Sequence, residues 1–188
     1  PLPHQSDPML RLAFLGRITS IKNLAFALRV LQDVQTPVQF DIHGPVEDED
    51  YWQMCLMMAA ELPPHVGVTH HGAYANADLP AILSRTDLLF LPTAGENFGH
   101  AIFEALSCGV PALISDRTPW RDLSDAHAGW DLPINGPEAF AAAIDSFAAM
   151  DESARAVWRD GARSQAEATV ANSDAVSRSR ALLEDLCA

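Results

Sequence analysis

Two stretches place charged side chains where work on a phosphate or a sugar would need them. In "GRITSIK", residues 16–22, an apolar run ends at Gly16 and is followed by Arg17 and Lys22, the latter the only lysine among twelve basic residues. Thr19 or Ser20 can cap a helix here, with Lys22 in its first turn. A cation at that position opposes the helix macrodipole by roughly 0.3 to 1 kcal/mol, so the placement calls for an anion nearby. Free amides at a helix start, the fork of Arg17 and the point charge of Lys22 together suit a phosphate. A solvated lysine on a polar turn is the plainer alternative.

The second stretch, "PTAGENFGHAIFEALSCGVP", residues 92–111, sets Glu96 and Glu104 eight positions apart. A helix from about Phe98 to Cys108, stopped by Gly109, leaves Glu96 just outside it. His100 and Glu104 are four apart and share a face, while Ala101, Ile102, Phe103, Ala105 and Leu106 make the rest apolar. A solvated His–Glu pair would be worth a few tenths of a kcal/mol. A helix this apolar is expected to be central, however, and a carboxylate there needs hydrogen-bond donors. The hydroxyls of two sugar rings, a nucleotide ribose and a transferred hexose, are suitable donors, one ring for each glutamate. The Phe98 and Gly99 amides would face phosphate or hydroxyl between them.

The elements that must hold these residues are legible as alternation. Runs rich in apolar and β-branched residues, 10–16, 38–44, 66–72, 87–92 and 111–116, alternate with helical periodicity at 20–33, 48–62, 78–85 and 98–108. A weaker strand, 129–133, precedes a helix over 137–150 with Pro137 in its first turn. The expected fold is α/β, a Rossmann-like parallel sheet of about six strands with helices on both faces. Gly16, Gly44 and Gly72 end the first three strands at intervals of 28 residues, one βα unit, and Gly95 follows the fourth. In such sheets the ligand crevice lies beyond the carboxyl ends of the strands, where glycines let the chain turn tightly or approach a ligand. Plain turn chemistry is an equal reading for Gly44. The division expected is a domain over 1–150 and a helical extension over 151–188 packed on it, read as helices 151–169 and 173–186 with Ser173 or Asp174 as an N-cap.

Composition narrows the classes. The 188 residues carry 25 acidic and 12 basic side chains, a net charge of −13, which repels nucleic-acid backbones and anionic lipid. Cys55, Cys108 and Cys187 are odd in number and widely spaced, as reduced cytoplasmic thiols would be. Adjacent His70 and His71 point to opposite faces of a strand and cannot share a metal, and no ligand cluster calls for one. His43 reads as structural, and Trp52 with Met54, Met57 and Met58 as core packing. No apolar run reaches a membrane span and "PLPHQSDPML" lacks a signal pattern. The chain opens on Pro1, so a longer parent with a partner domain is expected.

The pattern E-N-F-G-x4-E-A-L-x-C-G-V-P-x-L-I-S, with the upstream G-R-x4-K, resembles the C-terminal, donor-binding domain of retaining GT-B glycosyltransferases of family four, over about residues 10–150. The E-x7-E of that family falls on Glu96 and Glu104. The resemblance implies that Arg17 and Lys22 hold the donor diphosphate and stabilise it as leaving group, that Glu96 contacts the transferred sugar, and that Glu104 holds the ribose. Arg17, Lys22 and Glu96 are thus the candidate catalytic residues. Gly16, Gly72, Tyr74, Asn97, Phe98, Gly99, His100 and Glu104 are the candidate donor-binding residues, with Gly72 to Tyr74 bordering the base. It implies a UDP- or GDP-sugar as substrate and no cofactor or metal. It also implies an absent N-terminal acceptor-binding domain, peripheral membrane association only through the full-length protein, and little turnover by this piece alone. One departure is "SDRTPWRDL", where the family has a Gly-Gly pair and a glutamate. Pro119 offers no amide, Asp122 stands nearest the glutamate, and Trp120 is expected to pack, on the donor or on the absent domain. A sugar-nucleotide epimerase of the same fold would use the same pocket. A non-catalytic nucleotide-binding module is the other alternative, although a receiver-type one would want acids at the first strand end, where this chain has Arg17.

Overall fold

A computed structural model describes residues 9–186, with side chains over 9–171. Six strands, β1 (Leu10–Leu15), β2 (Val38–His43), β3 (Val66–His70), β4 (Leu88–Leu91), β5 (Ala112–Ser115) and β6 (Gly129–Leu132), form one sheet of order β3-β2-β1-β4-β5-β6. Every pairing is parallel. The Rossmann-like α/β expectation therefore holds, strand for strand.

The helices are α1 (Leu24–Leu31), α2 (Glu49–Ala60), α3 (Leu79–Leu83), α4 (His100–Ser107), α5 (Glu138–Ala148) and α6 (Glu152–Leu186). Strand order runs outward one way from β1 to β3 and the other way from β4 to β6. Right-handed crossovers then put α1 and α2 on one face and α4 on the other. α5 joins α1, and α6 lies on α4. Strands β4 and β5 are buried at every residue, as strands covered on both faces must be, and their apolar runs are continuous. β2 instead alternates buried and half-buried residues, because Gln39 and Asp41 form a polar ladder with Thr69 on β3 at 3.0 Å bonds.

The core is aromatic at its centre. Phe14, Phe40, Phe90 and Phe140 are fully buried, and Phe26 meets Phe140 edge to face at 5.1 Å. The start of α6 closes one end of it: Trp158 stacks on Trp130 of β6 at 4.2 Å, and Gly161 passes so close to the Ala126 carbonyl that an added Cβ would sit 2.3 Å from it.

Three expectations are corrected. The tail beyond Asp151 is one continuous helix rather than two, since neither Asn172 nor Ser173 interrupts the backbone pattern; the side chains of Ser173 and Asp174 lie outside the described residues, as does Cys187. Of the α2 group, Trp52 and Met58 lean on the core, but Met57 is 66% exposed and Met54 is exposed too, because Cys55 is the only buried residue of that helix. The helix expected to hold Lys22 in its first turn begins at Leu24 instead. Ser20–Lys22 is a separate 3-10 turn ended by Asn23 in the left-handed conformation, with φ 62°. Lys22 therefore closes that turn, and no macrodipole penalty arises there.

Candidate functional site

Strand order reverses between β1 and β4, so the loops leaving their carboxyl ends diverge and open a crevice, the usual ligand position in such sheets. The β1–α1 loop brings Arg17 and Lys22 to this crevice, and the β4–α4 loop brings Gly95, Glu96 and Asn97. A cleft of about 530 Å³ lies there, lined also by Thr19, Ser20, Ile21, Glu47 and Arg117. A second groove of about 290 Å³, between α2 and β3, is lined by mostly apolar residues and no arginine or lysine. Arg17, Lys22 and Glu96 are in the first.

The two lips are sewn together. The Ile21 carbonyl accepts the Ala94 N–H at 2.7 Å and the Thr93 hydroxyl at 3.0 Å. The Asn23 amide donates to the Pro92 carbonyl at 3.0 Å, a reach that its left-handed backbone allows. Thr93 is fully buried, and its carbonyl also accepts the Ser115 hydroxyl. This stitching sets Lys22 across from Glu96, whose side chains are 19% and 14% exposed and form an ion pair. The negative group that the lysine called for is, within the chain itself, the Glu96 carboxylate. Arg17 pairs with Glu47 at 3.0 Å, both exposed. Asn23, Glu47, Thr93 and Arg117 were not picked out from the sequence. The small polar residues flanking each strand end were the only trace of the stitching.

Gly16 ends β1 beside the Lys22 stem, with ordinary contact distance to it. Gly44 packs its backbone on the same loop: a Cβ there would lie 1.9 Å from the Gly16 carbonyl oxygen. Gly44 is thus a close-approach residue, and simple turn chemistry does not account for it. Its N–H donates to the Gly72 carbonyl at 2.8 Å, which joins the third strand end to the first.

The helix expected from Phe98 starts at His100, with Gly99 as N-cap at φ 80°. A Cβ at Gly99 would lie 2.8 Å from the end of the Ile102 side chain, which can shift, so the left-handed backbone conformation is what asks for glycine. Phe98 and His100 are exposed and their rings meet at 5.0 Å. Trp120, expected to pack on the donor or on the absent domain, is instead buried within this domain, packed on Phe98 and Phe103, with its indole N–H donating to the Phe98 carbonyl at 2.7 Å. Glu104 is half-buried and does not line the cleft with Arg17 and Lys22. It faces Tyr74, whose phenol is pushed up first by burial and then by the Glu104 charge. Its carboxylate takes no hydrogen bond from a described residue.

Beside Tyr74 the imidazoles of His43 and His71 stack at 4.5 Å, and His71 Nε2 lies 2.9 Å from Asp41. Burial, then the neighbouring His71, hold His43 below its ordinary value, against the opposing pull of Asp41. His70 turns away to the Gly44 carbonyl at 2.9 Å and packs on Trp52, so it is satisfied as expected. Among the described residues no group of three or more His, Cys, Asp or Glu could hold a metal ion, and no helix is long and apolar enough to cross a membrane.

The family model described as "Glycosyl transferases group 1" matches residues 6–165. Among curated proteins, the chain is 28% identical over 155 residues to a D-inositol 3-phosphate glycosyltransferase of Segniliparus rotundus, covering 79% of this chain and 34% of that protein. It is 34% identical over 86 residues to a GDP-mannose-dependent alpha-(1-6)-phosphatidylinositol dimannoside mannosyltransferase of Mycobacterium tuberculosis, covering 46% of this chain and 22% of the relative. The chain thus spans about a third or less of the length of these relatives. Among solved structures, HepE of Anabaena with UDP and glucose superposes with a TM-score of 0.75 at 20% identity, covering 92% of this chain and 49% of HepE. A sucrose-phosphate synthase of Thermosynechococcus elongatus gives 0.76 at 18% identity, with 94% and 46% covered. The C-terminal domain of LpcC, a group 1 glycosyl transferase of Francisella tularensis, gives 0.69 at 13% identity, with 85% of each covered.

Proposed function

Because the chain belongs to the group 1 glycosyl transferases, we propose that it is the C-terminal, donor-binding domain of a retaining GT-B enzyme that moves a hexosyl unit from a UDP- or GDP-sugar to a glycan or lipid-linked acceptor. The observation that carries this reading is the juxtaposition of Arg17, Lys22 and Glu96 around one cleft at the strand-order reversal. The GDP-mannose in the name of the mycobacterial relative and the UDP bound to HepE support a nucleotide-sugar donor.

In the reaction, the bond from the sugar's anomeric carbon to the diphosphate oxygen breaks, and the electron pair stays on the phosphate. Arg17 and Lys22 face that growing charge, already positioned and at no reorganisation cost at the moment of transfer; losing one such group costs about 10² to 10³ in rate. Glu96, released from Lys22 by the incoming diphosphate, is free to accept hydroxyls of the transferred sugar. Glu104 has unused acceptor capacity for a ribose, and Gly72 to Tyr74 border the base. Gly16, Asn97, Phe98, Gly99 and His100 complete the binding surface. An acceptor-binding domain supplied by the rest of the enzyme closes the cleft, so the domain alone binds donor with little turnover.

Calorimetric titration tests the assignment. Lys22→Ala weakens binding of UDP or GDP far more than that of the parent nucleoside. Equal losses for both would sink it.

A further inference from the structure

Resting on the donor-site reading above, we infer that Arg117 is a third diphosphate-binding residue, delivering from the β5–β6 loop a side-chain contact to the phosphates opposite Arg17 and Lys22. Nothing in the sequence pattern marked it. The geometry does.

Arg117 lines the same cleft as the other two cations. Its backbone is fixed from both sides: its N–H donates to the Ser115 hydroxyl at 3.2 Å and its carbonyl accepts the Glu96 N–H at 3.1 Å. The residue is thus tied to the loop that carries Glu96, while its side chain stays 60% exposed. Only Nε has a partner, Asp116 Oδ1 at 3.2 Å, and the alignment is poor enough that this buried oxygen has no proper hydrogen bond. The terminal nitrogens donate to no described residue. Arg121, four positions on, is the contrast. Its guanidinium is spent within the loop, on the Asp116 carbonyl at 2.7 Å and the Trp120 carbonyl at 3.0 Å.

Two positions of the loop after Arg117 offer an anion no main-chain donor. Pro119 has no N–H, and the Trp120 N–H already donates to the Thr118 hydroxyl at 3.2 Å. Trp120, buried against Phe98, holds the segment in that arrangement. The side chain of Arg117 is a donor that this loop still presents. In a chain of net charge −13, three cations against Glu47 and Glu96 make the cleft lining locally positive. A guanidinium fork matches two phosphate oxygens at once, which a lysine cannot do.

The test is titration calorimetry on the intact protein with UDP and GDP, each compared with UMP and GMP, for the parent, Arg117→Ala, Arg117→Lys and Lys22→Ala. Arg117→Ala is expected to weaken the diphosphate that the parent binds by about tenfold and the monophosphate by less than about twofold. Arg117→Lys keeps part of the affinity, as a charge without a fork. If Arg117→Ala binds diphosphate like the parent, or loses both ligands equally, while Lys22→Ala loses diphosphate selectively, the role of Arg117 is refuted and the donor-site reading stands. If neither alanine variant separates diphosphate from monophosphate, or the parent binds neither diphosphate, both readings fall together.

Discussion

Replacing Glu96 by glutamine should tighten binding of a bare nucleoside diphosphate, although Glu96 belongs to the proposed site. Its carboxylate holds Lys22 in an ion pair whose partners are 19% and 14% exposed. Exposed pairs contribute about 0.2 to 1 kcal/mol, and breaking a fully buried one costs about 3 to 5, so this intermediate case sits near about 2 kcal/mol. An entering diphosphate must take Lys22 from Glu96 and recovers part of that cost as the carboxylate rehydrates. With about half recovered, the remaining 1 kcal/mol or so is a fivefold difference in affinity. The amide of a glutamine at position 96 leaves Lys22 without a competing charge. Calorimetry with UDP and GDP, carrying no sugar, isolates this effect from any loss of hydroxyl contacts, and a thermal melt checks that the variant is folded. A folded Glu96→Gln protein that binds the diphosphate no better than the parent would show that Lys22 is not contested, and the exchange of partners would have to be abandoned.

Two further outcomes follow from the geometry. Gly44→Ala drives a Cβ to within 1.9 Å of the Gly16 carbonyl, backbone against backbone, and should destabilise by about 3 kcal/mol or more while displacing the Arg17 loop; denaturant unfolding reads the first and diphosphate affinity the second. A parent-like midpoint would contradict the contact. His43 resists protonation in the folded protein that the unfolded chain accepts near 6.5, so its contribution is whole above that pH and is lost as pH falls toward the lower folded value. Melting temperature measured downward from pH 6.5 should fall less steeply in His43→Asn than in the parent, and identical slopes would assign the loss to other groups.

The sheet was legible because its strands say so twice. The continuous apolar runs of β4 and β5 mark strands covered on both faces, and the glycines at 16, 44 and 72 punctuate the βα interval. Arg17, Lys22 and Glu96 could be nominated from charge placed at strand ends, and they do line one cleft. Lys22, however, closes a 3-10 turn and does not open a helix. Propensity favours a helix from Ser20, and nothing local announces that Asn23 will adopt φ 62° and split it in two; the bond from Asn23 to Pro92, 69 residues away, secures that conformation. Glu47 and Arg117 escaped notice for a similar cause, since their loops reach the cleft only once β2 and β5 are placed either side of β1 and β4. The uninterrupted α6 escaped too, because "VANSD" carries turn-forming side chains that a long helix tolerates.

The shared Ile21 carbonyl, grasped by both Ala94 and Thr93, means that the two walls of the cleft travel as one jaw. Neither can swing outward without exposing the buried Thr93 and stranding two donors, so entry and release of a nucleotide are poorly served by a hinge in either loop. In the proposed enzyme, motion that accompanies turnover would come from the acceptor-binding domain closing on a rigid anvil, and mutations that loosen the seam should blur the fit for the ligand long before they unfold the domain.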